Sequence, residues 1–207
     1  MSQKKTQAPR PSAAINYNDA CNIYSNQPEW LFASLEASRR WQAPIFIFLA
    51  FIHQESSFNA EARPRGANGK LLSSAYGYAQ ALDGTWREYQ EESGNTSGRR
   101  NRFEDAVDFI GWYVLRVYRA TGISKWDASR LYLNYHEGIG GYKRGLHNNK
   151  PWLLQVAQKV GDRATRYHSQ LLDCKIPIYL ESDGSVPPRY RKGNVPDKPL
   201  NKRIRWF

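Results

Sequence analysis

Cysteine is scarce in this chain, and its sparseness excludes several chemistries. Only Cys21 and Cys174 occur, with no C-x-x-C spacing. Neither a cysteine-ligated zinc site nor a thioredoxin-type redox pair is therefore supported. No His-Glu-x-x-His spacing is present, so the zincin metal signature is missing too. No apolar run approaches the roughly 20 residues that a membrane-spanning helix needs. No apolar segment of signal-peptide type follows the basic N-terminus, so an exported form would carry a signal not present in this chain. Internal repeats are absent.

Acidic residues are also in the minority, 19 against 30 Lys and Arg, giving a net charge of +11. The excess is uneven. Residues 1–14 carry +3 from Lys4, Lys5 and Arg10, and residues 175–207 carry +5, which leaves only +3 on residues 15–174. A basic charge held mostly in the tails argues against a nucleic-acid binder. A diffuse basic surface still attracts polyanions, including an anionic cell-wall or membrane surface.

What is present is apolar and aromatic. The chain has 207 residues, 41 % of them apolar, with seven Trp and thirteen Tyr. That suits one domain with extensions. The aromatic richness fits either a packed core or a groove in which flat side chains lie against sugars or bases. Residues 1–14, with Pro9 and Pro11, read as a flexible leader. Residues 175–207 hold Pro177, Pro187, Pro188, Pro196 and Pro199 among scattered basic residues and read as an extended tail.

Between them the periodicity is helical. Asn26 as cap, Pro28 in the first turn and Glu29 predict a helix ending near Arg40, before Pro44. Ile45 to Ile52 fits a buried strand or a helix apolar all round, and Pro44 together with a length of about twelve favours helix. Residues 60–75 and 93–101 are loops. A short helix starting at Asp83 or Thr85 carries Trp86 and Tyr89. Phe103, Ala106, Val107, Ile110, Tyr113, Val114 and Val117 define a helix ended by Gly122. Ser124 caps another, bearing Trp126, Leu131 and Leu133, which stops at Gly138, Gly140 and Gly141. The last follows Pro151, with Leu153, Val156, Ala157, Val160, Ala164, Tyr167 and Leu171 on one face, and Cys174 falls on that same face. The expectation is an all-α domain of roughly six to eight helices. On their own, the two cysteines fit a bridge or two buried thiols equally well.

The chemistry concentrates at the end of the apolar run, where His53, Gln54, Glu55, Ser56 and Ser57 follow Ile52. Burial disfavours a charged carboxylate, so Glu55 at that junction is suited to holding a proton near neutrality. A general acid requires this; the plainer reading is a carboxylate that reaches water. Two further stretches stand out: Ala75-Tyr76-Gly77-Tyr78-Ala79-Gln80, and Asn134-Tyr135-His136-Glu137-Gly138 followed by Gly140-Gly141-Tyr142.

Glu55-Ser56, then Gly77-Tyr78-Ala79-Gln80, then Tyr135-His136-Glu137-Gly138 have the order and spacing of three motifs in lytic transglycosylases of the soluble, goose-lysozyme-like type. There a Glu-Ser pair ends a buried helix, a Gly-x-x-Gln motif follows, and a Tyr-Asn-x-Gly motif closes a later helix. Over about residues 28–172 this chain resembles that family. The resemblance implies a lysozyme-like α-bundle over 15–174, with Pro44–Glu55 helical. It implies cleavage of the β-1,4 bond between N-acetylmuramic acid and N-acetylglucosamine in peptidoglycan, without a cofactor or metal. Glu55 would protonate the glycosidic oxygen and then take the proton of the muramoyl C6 hydroxyl as that oxygen attacks C1, giving a 1,6-anhydro product.

Ser56, Gln80 and Tyr135 carry over as groups that bind sugar and orient Glu55. Tyr76 and Tyr78 are expected as stacking faces, and Gly77 as a point of close backbone approach. His136 stands where the family often has Asn, and Glu137 where it often has a small residue. Glu137 is then either a second carboxylate that positions water, making the enzyme a lysozyme-type muramidase, or a group that pairs with His136 or an Arg and orders the loop. A metal site built from His53, Glu55, His136 and Glu137 lacks ligand spacing. A non-enzymatic alternative is a glycan-binding component whose tail, 175–207, docks to a trans-envelope assembly such as a secretion system. The envelope setting implies a periplasmic or cell-envelope location, with a removed signal or lipoprotein leader, and it favours a Cys21–Cys174 bridge.

Overall fold

Helices form over nearly every segment where apolar residues recur at helical spacing. The computed structural model describes residues 14–174. Among these, the α-helices are α1 Ala20–Asn26, α2 Pro28–Trp41, α3 Ile45–Ser56, α4 Asp83–Ser93, α5 Phe103–Thr121, α6 Ala128–Lys143 and α7 Pro151–Asp173. A 3-10 turn, Leu146–Asn149, joins the last two. Extended pairing among the described residues is confined to the isolated bridges Arg65–Leu71 and Tyr76–Ala81. The fold is all-α. The leader up to residue 13 and the tail 175–207 lie outside the described residues, and with them the expectations placed there.

Helix α3 is the axis. Its first eight residues, Ile45 to Ile52, are all buried, because α2, α5, α6 and α7 each pack against it. A helix apolar all round is stable only under such cover. Each large side chain buried in this way contributes about 1.5–3 kcal/mol. Pro44 caps the helix start in extended backbone (φ −67°, ψ 140°). Ser57 ends it in left-handed backbone, its amide bonded to the His53 carbonyl.

The surrounding helices pack closely where side chains are small. Gly111 of α5 leaves room for the Trp41 ring of α2: a Cβ there would stand 2.6 Å from Trp41 Cδ1. Trp41 Nε1 donates to Asp108 Oδ1 of α5 at 2.7 Å. Cys21 and Cys174 form a disulfide that ties α1 to the end of α7, 153 residues on. Gln170 reinforces the seam by accepting from the Ala20 amide at 2.9 Å and donating to the Asn18 carbonyl at 3.1 Å.

Three boundaries differ from expectation. Asn26 closes α1 instead of capping α2, its amide donating back to the Asn22 carbonyl. Asp127, not Ser124, caps α6, because its carboxylate accepts the Arg130 amide, and Trp126 lies ahead of that helix. The glycines do not stop α6. It kinks at Gly138 (φ 69°, ψ 158°) and runs on to Lys143; only glycine adopts that backbone readily.

Candidate active site

Glu55 sits in the last turn of α3, one turn after the buried Phe51. The apolar run therefore delivers a carboxylate to the edge of the core, where it keeps partial solvent access. Burial pushes its pKa up to about 7, while the Tyr132 hydroxyl, its hydrogen-bond partner, works the other way. Glu55 is thus divided between acid and carboxylate at neutral pH.

Helix α6 supplies two tyrosines to this carboxylate. Tyr132 and Tyr135 are near neighbours on one helical face, their rings 6.4 Å apart and 21° from parallel. Phe51 meets both edge-on, at 5.5 and 5.2 Å. Tyr135 donates to the Ala79 carbonyl at 2.5 Å, which fastens the 57–82 loop to α6. Burial, then the negative charge of Glu55, raises the Tyr135 phenol well above its usual range. The Glu55 charge thus reaches Tyr135 as well as Tyr132. Tyr132 was not singled out by motif; its position three residues before Tyr135 is the signal that points to it.

The loop is built by glutamine and glycine. Gln80 has left-handed backbone (φ 49°), and its side-chain amide donates to the Ala62 and Gly77 carbonyls at 2.9 and 2.8 Å. Both of its hydrogens thus hold the loop, and Oε1 remains for a ligand. Gly77 (φ 76°) lies so close to the next connection that a Cβ would stand 2.0 Å from the Arg100 carbonyl oxygen. The close approach expected at Gly77 is to this chain's own backbone. Ser56 donates to the Ile52 carbonyl at 3.1 Å, an intrahelical contact that leaves its lone pairs free.

The two loop tyrosines part company. Tyr78 is buried, edge-on to Trp30 and Phe103 at 5.7 and 5.5 Å, so it packs in the core instead of offering a groove face. Tyr76 is half-buried and donates to Glu61 Oε2 at 2.5 Å. The Arg63 guanidinium lies 3.9 Å over its ring and competes for the face a sugar would use.

His136 and Glu137 form a separate cluster. Lys150 Nζ donates to Glu137 Oε1 at 2.7 Å, and His136 Nδ1 lies 3.2 Å from the same oxygen. The Lys150 bond leads in holding the Glu137 carboxyl below its usual range. Only 4 % of the Glu137 side-chain surface is exposed, because these partners cover it and Gly141 leaves it room: a Cβ there would stand 3.3 Å from Glu137 Cβ. The pairing expected with His136 or an Arg is made with His136 and Lys150. The edge of His136 faces Trp152 at 5.2 Å.

His53 is directed elsewhere. Its Nδ1 lies 2.6 Å from the Tyr167 hydroxyl, which itself donates to the Tyr17 carbonyl. Burial, with Arg163 next, pushes the imidazole pKa down to about 4. His53 is a neutral strut between α3 and α7. Among the described residues no three His, Cys, Asp or Glu side chains gather at metal-binding geometry.

No curated protein matches the chain significantly. Residues 6–174 match the family described as "Transglycosylase SLT domain". That span covers the whole described helical domain, α1 to the end of α7, and the chain therefore belongs to the SLT transglycosylases, which act on peptidoglycan.

Proposed function

We propose that this protein is a lytic transglycosylase in which Glu55 alone serves as acid and then as base on the glycan strand. Residues 15–174 are the catalytic domain. Protonated Glu55 gives its proton to the glycosidic oxygen as the bond to the muramoyl C1 breaks. The C6 hydroxyl oxygen then bonds to C1 while its proton returns to Glu55. The products are a 1,6-anhydro-muramoyl end and a free N-acetylglucosamine end, and no water is consumed.

The observation that carries this reading is the placement of Glu55 at the end of the buried helix α3, bonded to the Tyr132 hydroxyl, where burial pushes its pKa up to about 7. A group that must donate and then accept a proton works best with a pKa near the working pH. Tyr132, bonded to the carboxylate, steadies it in the ionised half of the cycle. Tyr135 and Gln80 hold the loop edge of the site, and Gln80 Oε1 and the Ser56 lone pairs face sugar hydroxyls or the acetamido group. Glu137, already engaged by Lys150 and His136, orders the loop beside the cleft and leaves the chemistry to one carboxylate. Peptidoglycan as substrate, together with the Cys21–Cys174 bridge, supports work outside the cytoplasm, in the periplasm or at the envelope. Incubation of the purified protein with sacculi, followed by mass spectrometry, tests the reading: anhydro-muropeptides support it, and intact sacculi overturn it.

A further inference from the structure

The chemistry described above lies at the C-terminal end of α3. A concavity lies near the other end. A cavity of about 280 Å³ opens beside Phe46, between the start of α6 and the middle of α7. Phe46 and Glu55 are nine positions apart on the helix, about 13 Å along the axis at the α-helical rise. The two places are distinct.

The cavity has an aromatic wall and a polar rim. Trp126 is 48 % exposed, unusual for a residue that is mostly covered in folded proteins. It is nevertheless held at a fixed angle, 5.2 Å from the Phe46 ring and edge-on to His168 at 5.5 Å. On the rim, Gln158 Nε2 donates to Asp162 Oδ1 at 2.8 Å, and Asp127 Oδ1 accepts the Arg130 amide at 3.0 Å. Asp162 is oriented through one oxygen and keeps the other for a ligand; the second Asp127 oxygen forms a long ion pair with Arg130 Nε at 3.9 Å. At the base α6 and α7 meet closely, because a Cβ on Gly161 would stand 2.1 Å from Ser129 Oγ.

The lining selects a chemical class. It contains no Lys or Arg, although the chain carries +11 overall. Two carboxylates, Asp127 and Asp162, stand on the rim and disfavour an anion. A sugar finds partners: its apolar ring face packs on an exposed indole, and its hydroxyl and acetamido N–H groups donate to oriented carboxylate oxygens. The volume falls just below the roughly 300–1,000 Å³ typical of small-molecule sites, which limits the occupant to a single ring.

We propose that the Trp126 cavity holds one N-acetylhexosamine residue of a glycan strand, as a second, non-catalytic anchor. This rests on the reading that the Glu55 cleft works on peptidoglycan, since one polymer then supplies both sites. An anchor distant from the cleft raises the local concentration of strand at Glu55 without touching the reacting bond. Long insoluble substrates therefore benefit, and short soluble ones do not.

The test uses the full chain with Glu55→Gln, titrated with tri-N-acetylchitotriose and followed by amide and indole NMR. A saturable shift of the Trp126 indole N–H is expected. Adding Asp162→Lys should abolish it while shifts near Tyr132 and Tyr135 persist. Shifts confined to the Tyr132–Tyr135 region overturn the anchor and leave the Glu55 reading standing. Shifts at neither place overturn the anchor and count against glycan binding altogether. A Trp126 response to a cationic Lys-Ala amide but not to the sugar also overturns it. In the Glu55-containing protein, Trp126→Ala and Asp162→Lys should each clear sacculi about tenfold more slowly while turning over short soluble glycan fragments at the original rate. Equal clearance contradicts the anchor; a wild-type protein inert on both substrates contradicts the Glu55 reading instead.

Discussion

The ring of Tyr17 lies flat on the ring of Phe58, centroids 4.6 Å apart and planes within 9°. Phe58 stands three residues beyond Glu55 with φ 63°, a backbone that bulky side chains rarely adopt. Trp30 also stacks on it at 5.7 Å, and Trp30 in turn stacks on Phe103 at 4.2 Å. Tyr17 is fixed by the Tyr167 hydroxyl on its carbonyl. The turn that leads away from the carboxylate is thus held from the N-terminal segment, and the Cys21–Cys174 bridge anchors that segment to α7.

Phe58→Ala should therefore destabilise the protein by about 3–5 kcal/mol, as large-to-small changes in a packed core do. Sacculus lysis should fall as well, at temperatures where the variant is still folded. Urea melts and turbidity assays measure the two effects. Unchanged lysis in a folded Phe58→Ala protein would show that this stack does not position Glu55.

Glu55 makes stability depend on pH with a definite sign. Its folded pKa, about 7, lies above the ordinary 4.5, so the folded state holds a proton that the unfolded chain releases. Its neutral form costs nothing below about pH 4; stability is lost as pH rises through 7. Glu55→Gln should match the wild type at pH 4 and exceed it at pH 8, by at most about 3 kcal/mol, less what partial solvent access recovers. Thermal melts of both proteins across this range decide it; a gap independent of pH would mean that Glu55 is not shifted.

Gly77 and Gly94 share φ 76° but differ in surroundings. Nothing lies within 4 Å of a Cβ on Gly94, whereas one on Gly77 would collide with the Arg100 carbonyl. Gly94→Ala should cost about 1–2 kcal/mol, the left-handed penalty alone. Gly77→Ala should cost at least about 2 kcal/mol more, as forced overpacking does, and should reduce lysis. Similar losses in the two variants would contradict the close approach.

Much of this was legible in the sequence because helices report themselves by spacing. The α5 and α7 faces, the Gly122 stop and the burial of Ile45–Ile52 follow from periodicity and length. The roles of loop side chains do not. Nothing local reveals that Tyr78 turns inward, because its partners Trp30 and Phe103 come from distant helices. Nothing local shows that Lys150 crosses to Glu137, or that Arg63 covers Tyr76. Tyr132 shares its spacing with an ordinary core tyrosine. The Gly138 kink hid behind a glycine cluster that reads as a helix stop.

Glu137→Gln separates a loop-ordering role from a water-positioning one. The Lys150 pair should be lost, and thermal stability should drop slightly. The ratio of anhydro to hydrolysed ends released from sacculi should not change. A shift in that ratio, read by mass spectrometry, would make Glu137 part of the chemistry.

The most direct measurement concerns the bond at C1 that the proposed Glu55 mechanism would make. Sacculi are digested in isotope-labelled water by the wild type and by Glu55→Gln, and the released ends are analysed by mass spectrometry. With Glu55 as the single acid and base, the wild type yields 1,6-anhydro-muramoyl ends without label, and Glu55→Gln yields almost none. Labelled reducing ends from the wild type, or undiminished release by Glu55→Gln, would contradict it.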